Sequence, residues 1–333
     1  MKIHTTIKNR EAYAQYLQVL RGVESFLLTH RYLKLDLPVL SPALIPEGYL
    51  EVFETEFRYM DRREKLYLTP SPELFIKRLL VAGVGDCYYL GKSFRNSEPN
   101  SPKHLPEFTM LEMYKVGKDY RYMAQEVLAM LQHLSRTIHG TDQIMFQGHK
   151  VSLASWEAMT IAEAFERYSA ISTEELFDTE KFIKKAYQKG YVTEGFSYED
   201  LWSQIYAQEI EPHLGMNGKP TILFDYPVTF AALSTPNPDG RTAQRFEFYI
   251  GGVELGNCYS ELTDPELQAT RLRDEYELRK KSGKIDHPID TGFVDALREG
   301  LPESTGIAIG VDRLGMVMTD APDIDSMKLL TIR

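Results

Sequence analysis

Arg95, Glu112 and Tyr114 are the residues whose types and spacing first suggest chemistry. They flank Phe94–Tyr114, a polar, proline-broken loop between two strand-like segments. Phe108, Met110, Glu112 and Tyr114 recur at period two, so one strand face carries two apolar residues, then a carboxylate and a phenol. An arginine and a carboxylate on one long hairpin suit a ligand with an anionic and a cationic end. A hairpin with a solvated loop and a surface salt bridge satisfies the same pattern.

Further candidates lie later in the chain. Glu247 and Glu254 flank the Gly251-Gly252 turn, and paired oxygen ligands without Cys or His suit Mg²⁺. Solvated acids on a hairpin read the same way. Asn257 offers an amide for a carboxylate and Glu261 an acid for an ammonium, although Glu261 also reads as the acid opening the next helix. Arg313 follows Gly306, Gly310 and Asp312 at a strand-to-helix junction, where it reaches either a phosphate or solvent. Glu73 begins a helix and suits an amino group or the helix dipole, and His104 sits in the polar loop. No GxxxxGK[ST] or GxGxxG is present, which argues against a Walker or Rossmann site.

These residues need a frame. Apolar spacing predicts helices over 11–31, with Asn9 as cap, over 71–82, with Ser71 as cap, and over 119–139. Strands are expected near 33–37, 52–60, 64–69, 88–95, 107–116, 221–226, 244–254 and 305–310. Residues 160–215 read as a mostly helical insertion, and helices are expected over 262–282, 290–299 and from 311. Hairpin-linked strands with inserted helices argue for an antiparallel sheet flanked by helices. The net charge of −10 disfavours nonspecific attraction to nucleic acid or anionic membrane. Cys87 and Cys258, with no CxxC and no leader, read as reduced cytosolic thiols, and no run is long enough to span a bilayer.

Together these stretches resemble a class II aminoacyl-tRNA synthetase core of the lysyl type. The first family motif corresponds to residues 11–38, the second to Phe94–Tyr114 and the third to Gly306–Arg313. The lysine-specific marks are Ser71-Pro72-Glu73-Leu74, Glu107–Tyr114, Arg245–Glu247 and Glu254–Leu262. The resemblance implies an α+β fold, with an antiparallel sheet flanked by helices. It implies one catalytic domain over 1–333, an insertion at about 160–215 and no anticodon-binding domain.

That layout is similar to the elongation factor P lysine ligase family, whose members activate lysine, preferably (R)-β-lysine, with ATP. They transfer it to a lysine side chain of elongation factor P. Ala308 stands where lysyl-tRNA synthetases usually have glycine, and one methyl in an amino-acid pocket changes selectivity by ~1–3 kcal/mol.

Carried over, Arg95 holds the α-phosphate and substrate carboxyl, and Arg313 the γ-phosphate. Glu247 and Glu254 carry Mg²⁺, Phe108 stacks on adenine, and His104 lies near the phosphates. Glu112, Tyr114 and Glu261 take the ε-ammonium, Glu73 the other amine and Asn257 the carboxylate. The resemblance further implies a cytoplasmic homodimer that does not charge tRNA. A lysyl-adenylate ligase with another acceptor and a non-catalytic lysine-binding paralogue are the alternatives. The chain departs from the family at Ser97, where an acid is expected and Glu98 follows in the adenine-facing role, and at Leu105, which replaces an asparagine.

Overall fold

The computed structural model describes residues 2–97 and 101–332. The chain opens with β1 (Ile3–Thr5) and α1 (Arg10–Thr29), then β2 (Leu33–Lys34), β3 (Leu40–Ser41), β4 (Phe53–Tyr59) and β5 (Arg62–Leu68). Helix α2 (Glu73–Val81) precedes β6 (Cys87–Phe94) and β7 (Glu107–Val116). Next come α3 (Tyr120–His139), β8 (Gln143–Phe146), β9 (His149–Ser152) and β10 (Glu157–Thr160). Helices α4 (Ile161–Ser169), α5 (Thr173–Leu176), α6 (Thr179–Gln188) and α7 (Tyr198–Ile205) follow. The remainder is β11 (Thr221–Pro227), β12 (Thr242–Ile250), β13 (Val253–Ser260), α8 (Pro265–Lys281), α9 (Thr291–Arg298), β14 (Ser304–Gly310), α10 (Val311–Met318) and β15 (Leu330–Ile332).

Eight strands form the central sheet in the order β10-β11-β12-β13-β14-β7-β6-β2. Its pairs are antiparallel except β10–β11 and β2–β6 at the two edges. Alternation gives the sheet two distinct faces. Leu111 and Met113 of β7, Phe246 and Phe248 of β12, Cys258 of β13 and Ile307 and Ile309 of β14 join one core with α1, α3 and α10. The intervening residues, Glu112, Tyr114, Glu247, Asn257, Gly306 and Ala308, therefore belong to the opposite face. On that side Tyr114 joins a core with Leu74, Ile76 and Leu80 of α2, Leu272 of α8 and Phe293 of α9.

Local signals explain most element ends. Asp119 caps α3 by accepting from the Tyr122 amide, and Gly140 ends it at φ +72°. Residues 161–214 are helical and build their own core with Leu223, Tyr226 and Tyr249 of the sheet. Both cysteines are free and buried. Among the described residues, no helix is long and apolar enough to cross a membrane.

Several expectations are corrected. The strand expected over 33–37 is only two residues long, because the chain pairs with β6 just at Leu33 and Lys34. Asn9 does not cap α1; its side chain binds the Asp325 and Lys328 carbonyls instead. Ser71 does not cap α2 either, although its hydroxyl accepts from the Glu73 amide. Glu261 does not open a helix. It bridges Ser234, and α8 begins at Pro265 behind the Asp264 cap. Strand β12 continues through its glycine turn into a full β13, longer than the pattern over 244–254 suggested.

Candidate active site

Strand register aligns the polar face into rungs. One rung runs Glu112–Ala308–Asn257–Glu247 across β7, β14, β13 and β12. The next runs Tyr114–Gly306–Tyr259–Arg245. With strands ~4.8 Å apart, Glu112 and Glu247 mark the ends of a stripe about 14 Å wide. Ala308 and Asn257 sit between them. The sheet itself thus spaces the groups that the sequence scatters over 135 positions, from 112 to 247.

At the β7 end the acids converge. Glu112 is 2% exposed. Its Oε1 accepts from the Ser71 hydroxyl at 2.5 Å and its Oε2 from the Tyr114 hydroxyl at 3.1 Å. Burial, and then the charge of Glu73, push its pKa up to about 8, against the weaker pull of those two donors. Glu261 is also buried, and burial raises its pKa although Lys77 opposes the shift. Gly306 makes room for both neighbours. A Cβ there would lie 2.3 Å from Tyr114 Cε1 and 2.4 Å from Glu261 Oε1.

Sequence reasoning missed Lys77. Its ammonium, 1% exposed, lies 2.5 Å from Glu73 Oε1 and 2.7 Å from Glu261 Oε2. The signal was a lysine in the stripe of α2 that buries Leu74 and Leu80. Gln268 was missed too. It is fully buried, and neither polar atom of its amide has a partner among the described residues. A cavity of about 420 Å³ reaches Ser71, Glu73, Arg245, Tyr259 and Gln268, beneath residues 44–50.

Ala308 and Asn257, in the middle of the stripe, also line a cavity of about 140 Å³ together with Arg95, His104, Phe108, Glu254 and Arg313, among others. The Arg95 guanidinium lies over the Phe108 ring, 5.4 Å from its centroid, and its Nε has no partner among the described residues. Asn257 Oδ1 is likewise buried and unpartnered among them. Buried polar atoms of this kind mark where a ligand supplies the missing bonds.

Arg313, at the start of α10, binds the Lys103 carbonyl, the Glu254 carbonyl and His104 Nε2, the last at 2.6 Å. Because arginine only donates, Nε2 must accept, which puts the His104 proton on Nδ1 toward Ser101 Oγ at 2.6 Å. Burial, and then Arg313, lower the His104 pKa to about 4, so the ring is neutral near pH 7. Asp312 fixes the helix start by accepting from Tyr16, Lys328 and the Thr109 amide.

Glu247 accepts from Arg245 Nη2 at 2.6 Å and the Tyr249 hydroxyl at 2.5 Å. Burial, and then the Glu247 charge, raise the pKa of Glu254. Two carboxylates that repel in this way fit a hard cation held jointly with phosphate oxygens. Among the described residues no cluster of three or more His, Cys, Asp or Glu could hold a metal unaided. Glu98 lies outside the described residues, while Ser97 adopts φ +58°, a left-handed kink at the start of the altered loop. Leu105 packs against the main core and also lines the smaller cavity.

The family model of tRNA synthetases class II (D, K and N) matches residues 3–331. The lysine–tRNA ligase of Moorella thermoacetica is 34% identical over 320 residues, 95% of this chain and 64% of that protein. That of Carboxydothermus hydrogenoformans is 33% identical over 328 residues, 97% of this chain and 65% of that protein. The chain thus spans less than two thirds of these ligases. The elongation factor P–(R)-β-lysine ligase of Vibrio cholerae is 34% identical over 318 residues, 94% of this chain and 93% of that protein.

Proposed function

This chain belongs to the class II tRNA synthetases (D, K and N), and from that premise we propose that it is an ATP-dependent ligase. It activates lysine, specifically (R)-β-lysine, as an adenylate and transfers it to a lysine side chain of elongation factor P. The observation that carries the reading is a polar stripe that holds the acid cluster of Glu73, Glu112 and Glu261, the last two buried, and that borders at Ala308 the cavity lined by Arg95 and Arg313. Such a stripe suits an amino acid with two ammonium groups and a carboxylate directed at a nucleotide. The match to the Vibrio cholerae ligase over 93% of that protein supports the acceptor.

In this reading the substrate carboxylate attacks the α-phosphorus of ATP, and pyrophosphate leaves. Arg95 holds the carboxylate and α-phosphate and stabilises the charge that builds there. Arg313 takes the γ-phosphate in exchange for the contacts it now makes with His104 and Glu254. His104, neutral, offers hydrogen bonds without adding charge. Glu247 and Glu254 would hold Mg²⁺, which neutralises phosphate charge when bound. The acceptor amine, deprotonated, then attacks the adenylate carbonyl and AMP leaves. Orientation and electrostatics supply the rate; no protein nucleophile is required.

The test is lysine-dependent ATP–pyrophosphate exchange with α-lysine and both β-lysine enantiomers, with Arg95→Ala as the inactive control. Mass spectrometry of elongation factor P then reads the transfer. No exchange with any isomer sinks the ligase reading. Exchange with an unmodified elongation factor P redirects it to another acceptor. Because the lysine–tRNA ligases match at similar identity, tRNA is run as acceptor in parallel and is expected to stay uncharged.

A further inference from the structure

Lys77 has no part in the chemistry just proposed, yet it sits at the centre of the acid cluster. Its ammonium touches Glu73 and Glu261 and is shut off from solvent. Burial draws its pKa down, but Glu261 and Glu73 together hold it above the ordinary lysine value, so it stays charged. Ion pairs stripped of water are a poor way merely to dock a helix, since an apolar side chain serves as well. The neighbours of Lys77 on the same stripe, Leu74 and Leu80, do that docking.

The arithmetic of charge suggests another role. With a ligand bound and Glu112 ionised, Glu73, Glu112 and Glu261 supply three carboxylates around the slot, and Lys77 supplies one resident cation. The remainder is two negative charges, and a diamino acid brings two ammonium groups while its carboxylate faces Arg95. Tyr114, whose pKa is raised by burial and then by Glu112, contributes a neutral hydroxyl and does not alter the count. We propose that Lys77 is a positioning residue that fixes Glu73 and Glu261 and sets the charge of the amine pocket at two, so that a ligand with two ammonium groups fits and one with a single ammonium does not. This inference rests on the ligase reading above.

The experiment compares wild type, Lys77→Arg, Lys77→Met and Lys77→Met/Glu73→Gln by pyrophosphate exchange. The amino acids are the wild type's preferred lysine isomer and its analogue with a hydroxyl in place of the terminal ammonium. Lys77→Met frees Glu73 and Glu261 from their anchor and leaves a third carboxylate unbalanced. It is therefore expected to raise the KM for lysine about tenfold or more and to increase, by a similar factor, the preference for lysine over the hydroxyl analogue, which brings one positive charge fewer. The KM for ATP stays within about twofold, because the nucleotide end is untouched. Lys77→Arg keeps the charge and the preference. The double variant returns the count to two and brings the preference back toward the wild-type value.

A folded Lys77→Met with wild-type KM and preference overturns the proposal, as does a double variant in which the shift in preference persists or grows. If Lys77→Met does not fold, the double variant decides alone, since removing both members of a buried pair is better tolerated than removing one. Absence of lysine-dependent exchange in the wild type overturns the ligase reading itself. Exchange in the wild type with preference unchanged in the variants overturns only the role of Lys77.

Discussion

Glu112 ties the protonation state of the protein to the binding of its proposed substrate. Its pKa is raised to about 8 by burial and by Glu73, so the free protein holds it protonated at neutral pH. An arriving ammonium favours the carboxylate, so binding releases a proton. The sign follows: affinity for lysine increases as pH rises toward the raised pKa and levels off above it. We expect the KM for lysine to fall by up to about tenfold per pH unit below pH 8. Glu112→Gln should flatten that slope, which exchange assays across pH will measure. Ala308 is the second residue with a sharp expectation, because it pairs directly with Glu112 across β7–β14. Ala308→Gly should shift the ratio of kcat/KM between β- and α-lysine toward α-lysine by roughly 5–150-fold, the worth of one methyl. Glu112 was legible from its place in a period-two strand, Arg95 from the end of the facing strand and Asn257 as an amide between two acids. Lys77 was not, because a lysine on a helix has ordinary uses, and Ser71 was read as a cap and as part of a lysine-specific stretch; only the fold shows Lys77 meeting Glu73 and Glu261 and Ser71 meeting Glu112.

At the scale of elements, β14 shows what a strand must give up to serve a site. Its Ile307 and Ile309 fill the core, while Gly306 leaves space for the Tyr114 ring and the Glu261 carboxylate. Gly306→Ala drives a methyl into both. The expected cost is ~1–3 kcal/mol of stability from overpacking. Because Tyr114 and Glu261 move, the KM for lysine should rise while that for ATP holds. A thermal melt and paired KM measurements check the two effects, and an unshifted melt would show that the pocket relaxes freely. Alternation made β7 and β12 readable from sequence. Strand β10 was not, since its four residues Glu157–Thr160 pair in parallel with β11, a partner about 60 positions away. The β1–β15 pair was hidden for the same reason. The cap expected at Asn9 failed because tertiary carbonyls took its side chain, and that at Ser71 because α2 begins one residue later, behind Pro72.

Across the whole molecule, the order of strands in space differs from their order in the chain. Strands β2, β6 and β7 form one flank of the central sheet and β10 to β13 the other, with β14 between them. Antiparallel architecture was readable from hairpins and turns, but this central placement was not, because nothing in residues 304–310 records which strands lie on either side. It has a consequence during synthesis. Between the end of β7 and the start of β14 the ribosome adds residues 117–303, which takes roughly 10–40 s at ~5–20 residues per second. Throughout that interval β7 presents an unpaired edge, joined by that of β13 once residue 260 has been added, an invitation to aggregation. A chain stopped at residue 300 should therefore be insoluble or bound to chaperones, and a solubility assay of that fragment would show it. The same delay keeps Glu112 and Asn257 apart until Ala308 is in place between them. The nascent chain therefore cannot assemble the proposed site early: the strand that completes the central sheet is also its on-switch.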